Sequence, residues 1–253
     1  MIVKSIFSAI KDTFLRPLNL IPMLIVALAS LTLGNLTSWA LEKPLSDMIL
    51  YPEVFMTSDL YVIAFNNYLP EMLVLFATGV VVTVLSVISM LTLARISKGD
   101  SLMEAINDST SELTKSTALV VIITVASIIL FAVLGAIASL TDINFNLAFI
   151  LGAIYLILIL IVLAKVAYTI PALVKAKNVK IAIQDSWEFT NDKFLSSFAF
   201  LVVIIIVIML ISALLGQVDL FTGEDFFLPI FIANQTISGT FLALALGHYY
   251  NQE

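Results

Sequence analysis

Charged positions cut this chain into long apolar stretches. Six runs contain no Asp, Glu, Lys or Arg: Pro17–Leu41, Met72–Ala94, Ser116–Thr141, Ile143–Ala164, Phe194–Val218 and Phe226–Gln252. Each is at least as long as the roughly 20 residues that a helix needs to cross a hydrocarbon core. Backbone in lipid must satisfy its own hydrogen bonds, so the runs predict six membrane-spanning helices. A shorter uncharged run, Leu60–Pro70, is too short to span and is expected to be interfacial or re-entrant. In the first run Ala27-Leu28-Ala29 resembles a signal-peptidase site, but the apolar stretch continues far past it, so this run is expected to be a retained span.

Short amphipathic segments precede the odd-numbered spans. Val3, Ile6, Phe7, Ile10 and Phe14 recur at steps of three and four residues, the period of a helix face. Leu102, Ile106 and Leu113 form a thinner stripe before span three, and Ile183 and Trp187 lie one turn apart before span five. These segments are expected to lie in the membrane interface with the apolar face toward lipid. Each carries the same pattern, Ala-Ile-x-Asp-(Ser/Thr): Ala9 to Thr13, Ala105 to Ser109 and Ala182 to Ser186. The pattern predicts a threefold internal repeat of interfacial helix plus hairpin, with units 1–98, 99–178 and 179–253 in one membrane domain.

Composition agrees with a membrane class: 61% of the residues are apolar and 12% charged, about half the charge of a soluble domain. Lysine and arginine orient the spans. Eleven of the twelve, all but Lys43, fall on the side of the termini, which predicts cytoplasmic N- and C-termini in a cell membrane. The outward connections are then Glu42–Glu71, a turn around Asp142, and Gly216–Asp225. The net charge of −6 offers no basic patch, so nucleic acid is not an expected partner.

The chemistry is sparse. There is no cysteine and a single histidine, His248, which argues against a metal centre, a cofactor or a nucleophile–base pair, and so against an enzyme. The richest polar cluster inside a span is Asn234-Gln235-Thr236-Ser238-Thr240. Asn234 and Gln235 are expected to turn into the bundle as candidate lipid or ligand contacts, with Thr236 bonded to its own helix. A milder stripe, Thr78, Thr83, Ser86, Ser89 and Thr92, is expected to bond back to its own helix. Asp12, Asp108 and Asp185, the repeated carboxylates, are read either as solvated or ion-paired helix positions or as a ring at the cytoplasmic mouth.

Ile170-Pro171-Ala172-Leu173, followed by Ala182 to Trp187 and a long apolar helix, resembles a widespread group of uncharacterised six-helix bacterial and archaeal membrane proteins. That group is related to the membrane domain of some glycerophosphodiester phosphodiesterases. The resemblance implies a fold and carries over no catalytic residue. The expected function is a membrane-embedded module that interacts with lipids or other membrane proteins. The alternative is a passive or facilitated transporter of a lipid or small uncharged solute.

Overall fold

The computed structural model describes residues 2–50, 60–139, 145–191, 193–222 and 227–252. Among them the protein is helical throughout, and six helices are long and apolar enough to cross a membrane. They are α2 (Ile21–Leu50), α3 (Leu60–Ile96), α5 (Leu113–Ser139), α6 (Phe145–Val166), α9 (Phe194–Thr222) and α10 (Phe227–Asn251). Four shorter helices lie beside them: α1 (Ile2–Phe14), α4 (Leu102–Ser111), α7 (Thr169–Leu173) and α8 (Val179–Asn191). A single 3-10 turn, Pro17–Leu20, joins α1 to α2.

Two expected loops are shorter than the charge pattern indicated. Glu42 and Lys43 belong to α2, which runs on to Leu50, and Glu71 lies well inside α3. The run Leu60–Pro70 is not a separate re-entrant piece but the start of α3, with a kink at Tyr68 (φ −127°, ψ 18°) just before Pro70. Proline supplies no N–H to the helical ladder, which explains a kink at this point. Likewise Gly216 and Val218 are helical, since α9 continues to Thr222. Charged residues can extend a helix beyond the hydrocarbon, so charge-free length underestimates helix length. The turn expected around Asp142 lies outside the described residues.

The short helices are set by local signals. Gly99 takes φ +115°, which favours glycine, and ends α3. Ser101 then caps α4: its hydroxyl accepts from the Glu104 N–H, and the Glu104 carboxylate accepts from the Ser101 N–H and hydroxyl. The Asn178 side chain caps α8 by accepting from the Ile181 N–H at 2.9 Å.

Each helix that precedes an odd-numbered span packs on the end of another span. α1 lies against α10, α4 against α3, and α8 against α6 and α7. The face bearing α1, α4, α8 and both termini is called the terminal face here, and the opposite one the far face. Buried side chains gather toward the terminal face. In α5 they are Ser116, Leu119 and Val120; in α6, Ala164; in α9, Ser197, Phe200 and Ile204. Beyond these, the described residues of α5, α6 and α9 toward the far face are exposed or half-buried. α2, α3 and α10 form the tightest group, and α10 is the most buried span.

Candidate functional site

The terminal face is closed by aromatic rings from three helices and from the turn after α6. Phe200 of α9 stacks on Tyr249 of α10 at 4.1 Å between centroids. Tyr249 lies 5.7 Å from the ring of Tyr168, which follows α6, and Phe189 of α8 sits 4.9 Å from Tyr168. Such pairs add about 0.5–1.5 kcal/mol each beyond simple packing. The Tyr249 hydroxyl donates to Ser196 Oγ at 3.2 Å, so the cluster is also tied by a polar contact.

The repeated pentapeptide works through its small residues. Ala9, Ala105 and Ala182 are fully buried, and so, one turn on, are Thr13, Ser109 and Ser186. A small pair spaced by four residues lies on one helix face and lets that face approach a neighbouring backbone closely. The Ser186 hydroxyl donates to the Lys165 carbonyl of α6 at 2.7 Å. On α1 this small, polar face (Ser5, Ala9, Asp12, Thr13) meets the bundle, while Val3, Phe7 and Phe14 point away from it, Phe7 being 71% exposed.

The three repeated carboxylates have different surroundings. Asp12 is only 8% exposed; its Oδ2 lies 2.8 Å from His248 Nε2, and its Oδ1 lies 3.4 Å from Arg16. Asp108 faces solvent and pairs with Arg95 of α3 at 3.2 Å. Arg95 also binds Glu112 at 3.0 Å, and Lys115 bridges Glu112 to the Ala176 carbonyl. Asp185 is half-buried. The cation of that copy, Lys165, contacts Asn191 and lies 4.7 Å over the Trp187 ring.

A lone histidine makes no catalytic pair with another, and His248 instead meets Asp12. A signal for it exists. Three helices end on Leu-small-basic: Leu93-Ala94-Arg95, Leu163-Ala164-Lys165 and Leu246-Gly247-His248. The basic residue of each meets a polar group on a short helix: Arg95 on Asp108, Lys165 on Asn191 and His248 on Asp12.

In the span-six cluster Asn234 sits half-buried, and its Oδ1 accepts from Ser212 of α9 at 3.0 Å and from Ser238 at 3.1 Å. Gln235 does not turn into the bundle: it is exposed. Successive helical residues point about 100° apart, and the inward directions are taken by Asn234 and Thr236. Thr236 and Thr240 are buried with no hydrogen-bond partner among the described residues, contrary to the expected back-bond of Thr236. The span-two stripe follows expectation at Thr78, Thr83, Ser86 and Thr92, each bonded to a carbonyl of its own helix. Ser89 departs from it and donates to the Pro22 carbonyl of α2 at 2.9 Å.

Among the described residues no group of acidic, histidine and cysteine side chains is arranged to hold a metal ion. No family model, curated protein or solved structure matches this chain.

Proposed function

We propose that this chain is a non-enzymatic multi-pass module of the cell membrane that works by holding lipids, or other membrane proteins, against the open far half of its helical bundle. The observation that supports this is the one-sided packing. Aromatic rings and small-residue helix contacts close the terminal face, whereas the far halves of α5, α6 and α9 leave large apolar side chains such as Ile128, Ile157 and Leu214 uncovered. Helices in lipid gain nothing from the hydrophobic effect by associating, so halves that do not interlock are left to whatever fills the space between them.

A threefold repeat with units 1–98, 99–178 and 179–253 is part of the proposal. Its support is the matched burial of Ala9, Ala105 and Ala182, and the way each short helix leans on the span before it. For the first unit that span is the last of the chain, α10, which closes the cycle. In this reading Asp12, Asp108 and Asp185 are docking points for the short helices rather than an open ring. The relation to the membrane domain of glycerophosphodiester phosphodiesterases belongs to the same proposal and bears on fold alone.

The test is to extract the protein into native membrane discs and identify what is enriched with it. Enrichment of particular lipids or of a membrane protein is the expected result. A lipid profile equal to that of the bulk membrane, with no protein partner, would sink the reading. Flux of an uncharged solute through reconstituted liposomes would favour the transporter alternative. The orientation is checked by single cysteines: at Ser46 and Asp142 they should react with an impermeant reagent in intact cells, and at Ser111 they should not. The reverse pattern overturns the placement of the termini in the cytoplasm.

A further inference from the structure

The pair α2 and α3 encloses a recess of about 360 Å³ that helix packing does not explain. It is lined by Ser30, Gly34 and Thr37 on one side and Thr78, Gly79 and Thr83 on the other, with leucine and valine between them. A Cβ added to Gly34 or Gly79 would meet nothing within 4 Å. At two positions of α10 glycine is needed for close approach. At Gly239 a Cβ would lie 3.1 Å from Met23 Sδ, and at Gly247 it would lie 2.3 Å from Ser97 Oγ. Glycine inside a helix costs about 0.5–1 kcal/mol relative to alanine, and at Gly34 and Gly79 no neighbour offsets that cost.

The recess is a groove open on one side, with Thr78 buried at its floor and Gly79 exposed. Ser30, Gly34 and Thr37 follow Met23 and Val26 at steps of three and four residues, on the face of α2 that packs toward α10 nearer the terminal face. No described residue of α10 lines the recess, so its third side is open. It lies within the membrane-crossing parts of both helices and is reached from lipid.

Its chemistry is narrow. The Thr37 hydroxyl donates to the Leu33 carbonyl at 3.0 Å, Thr78 to Val74 at 2.9 Å, and Thr83 to Gly79 at 2.7 Å. Thr37 Oγ1 and Thr78 Oγ1 face each other at 3.5 Å. With these three threonine hydrogens committed to their own helices, their oxygens present lone pairs suited to an incoming O–H or N–H, and Ser30 adds a fourth hydroxyl to the lining. No charged side chain lines the recess. An ion, a phosphate included, would lose its hydration there without a counter-charge.

We propose that this recess binds the hydroxyl of an uncharged lipid, a long-chain alcohol or an acylglycerol, with the alkyl chain along Leu33, Leu75 and Val82. The proposal rests on the lipid-module reading and names the lipid class.

The test uses the full chain in lipid nanodiscs and a photoactivatable analogue of hexadecanol, with cross-linked peptides mapped. Labelling should fall on α2 and α3 around Gly34 and Gly79. Unlabelled hexadecanol should compete about tenfold better than hexadecyl methyl ether, since one hydrogen bond to a donor is lost. Hexadecyl phosphate should compete no better than the ether. Gly79→Leu fills the recess and should abolish labelling with no loss of thermal stability; Gly79→Ala and Thr78→Val provide milder variants in which labelling should fall. Equal competition by the ether or the phosphate, competition by glycerol alone, labelling elsewhere, or undiminished labelling of Gly79→Leu would each overturn the assignment. Phospholipid still enriched with the protein after such a failure would leave the lipid-module reading standing; its absence as well would remove both.

Discussion

Phe200 and Leu214 stand on the same helix, α9, about four turns apart. Phe200 is fully buried against Tyr249, whereas Leu214 is 71% exposed. The same contrast holds for the glycines: Gly247 has Ala94 and Ser97 directly against it, while Gly79 has open space. Both halves of the bundle are apolar, so hydrophobicity does not separate them. What separates them is interlocking. The terminal half combines small residues that let backbones approach with rings that fill the remaining volume. In the far halves of α5, α6 and α9 large side chains face outward, and the helices meet through isolated polar contacts, Tyr155 on the Leu130 carbonyl and Ser212 on Asn234. Inside a membrane only the first arrangement holds helices together, because lipid solvates an exposed leucine as well as a neighbouring helix does.

The sharpest way to break this comparison is truncation on both halves of α9. Phe200→Ala should lower stability by about 3–5 kcal/mol, the usual range for removing a buried aromatic ring. Leu214→Ala should stay within about 0.5 kcal/mol of wild type. Reversible unfolding in mixed micelles reads both, and equal losses would mean the halves are packed alike. Next comes Gly247→Leu, whose side chain must displace Ser97 and press on the Ala94 backbone; a loss of about 1–3 kcal/mol is expected for such overpacking. Gly79→Leu in the same assay should cause no loss, with a gain of up to about 1 kcal/mol from helix propensity.

The ion pairs extend the comparison to the short helices. His248→Ala removes the partner at 2.8 Å from nearly buried Asp12 and should cost about 1–3 kcal/mol. Asp108→Ala removes an exposed partner of Arg95 and should cost no more than about 1 kcal/mol. A larger loss at Asp108 than at His248 would reverse the ranking of the two copies. The smallest effect concerns Glu104. Hydrogen bonds from the Ser101 hydroxyl and then its N–H hold the Glu104 carboxyl below its ordinary range. Its folded-state value is depressed, so this contribution is present above the unfolded value and is lost as pH falls through the folded one. Hydrogen exchange at the first turn of α4 should therefore quicken selectively at acid pH, after correction for intrinsic exchange, and Glu104→Ala should show the faster exchange at neutral pH. No pH-dependent difference between the two proteins would rule out the cap as its source.

The six spans and the three short helices were legible from spacing alone, because a charge inside hydrocarbon is expensive and a 3.6-residue period needs only one face to be read. The pentapeptide pattern was visible too, but attention fell on its aspartates, whereas burial falls on Ala9, Ala105 and Ala182 and on the hydroxyl residues one turn later. Gln235 illustrates the opposite error. Amide chemistry marked it as an inward residue, yet its rotation about the α10 axis leaves it exposed. Its neighbour Asn234 instead meets Ser212 of α9, a contact between two helices that neither helix shows alone.

What the sequence by itself determined was the class of each segment: which stretches are long and apolar enough to cross a membrane, and which short segments beside them are helical. Those follow from transfer free energy and periodicity, which are properties of single segments. The tertiary structure alone decided which half of each span is covered, that His248 meets Asp12 across nearly the whole chain, and that Gly34 and Gly79 face the same recess. These depend on the rotation and separation of pairs of helices. In a membrane such choices are made by close packing between surfaces of similar hydrophobicity, and that leaves no mark in the hydropathy of either helix alone.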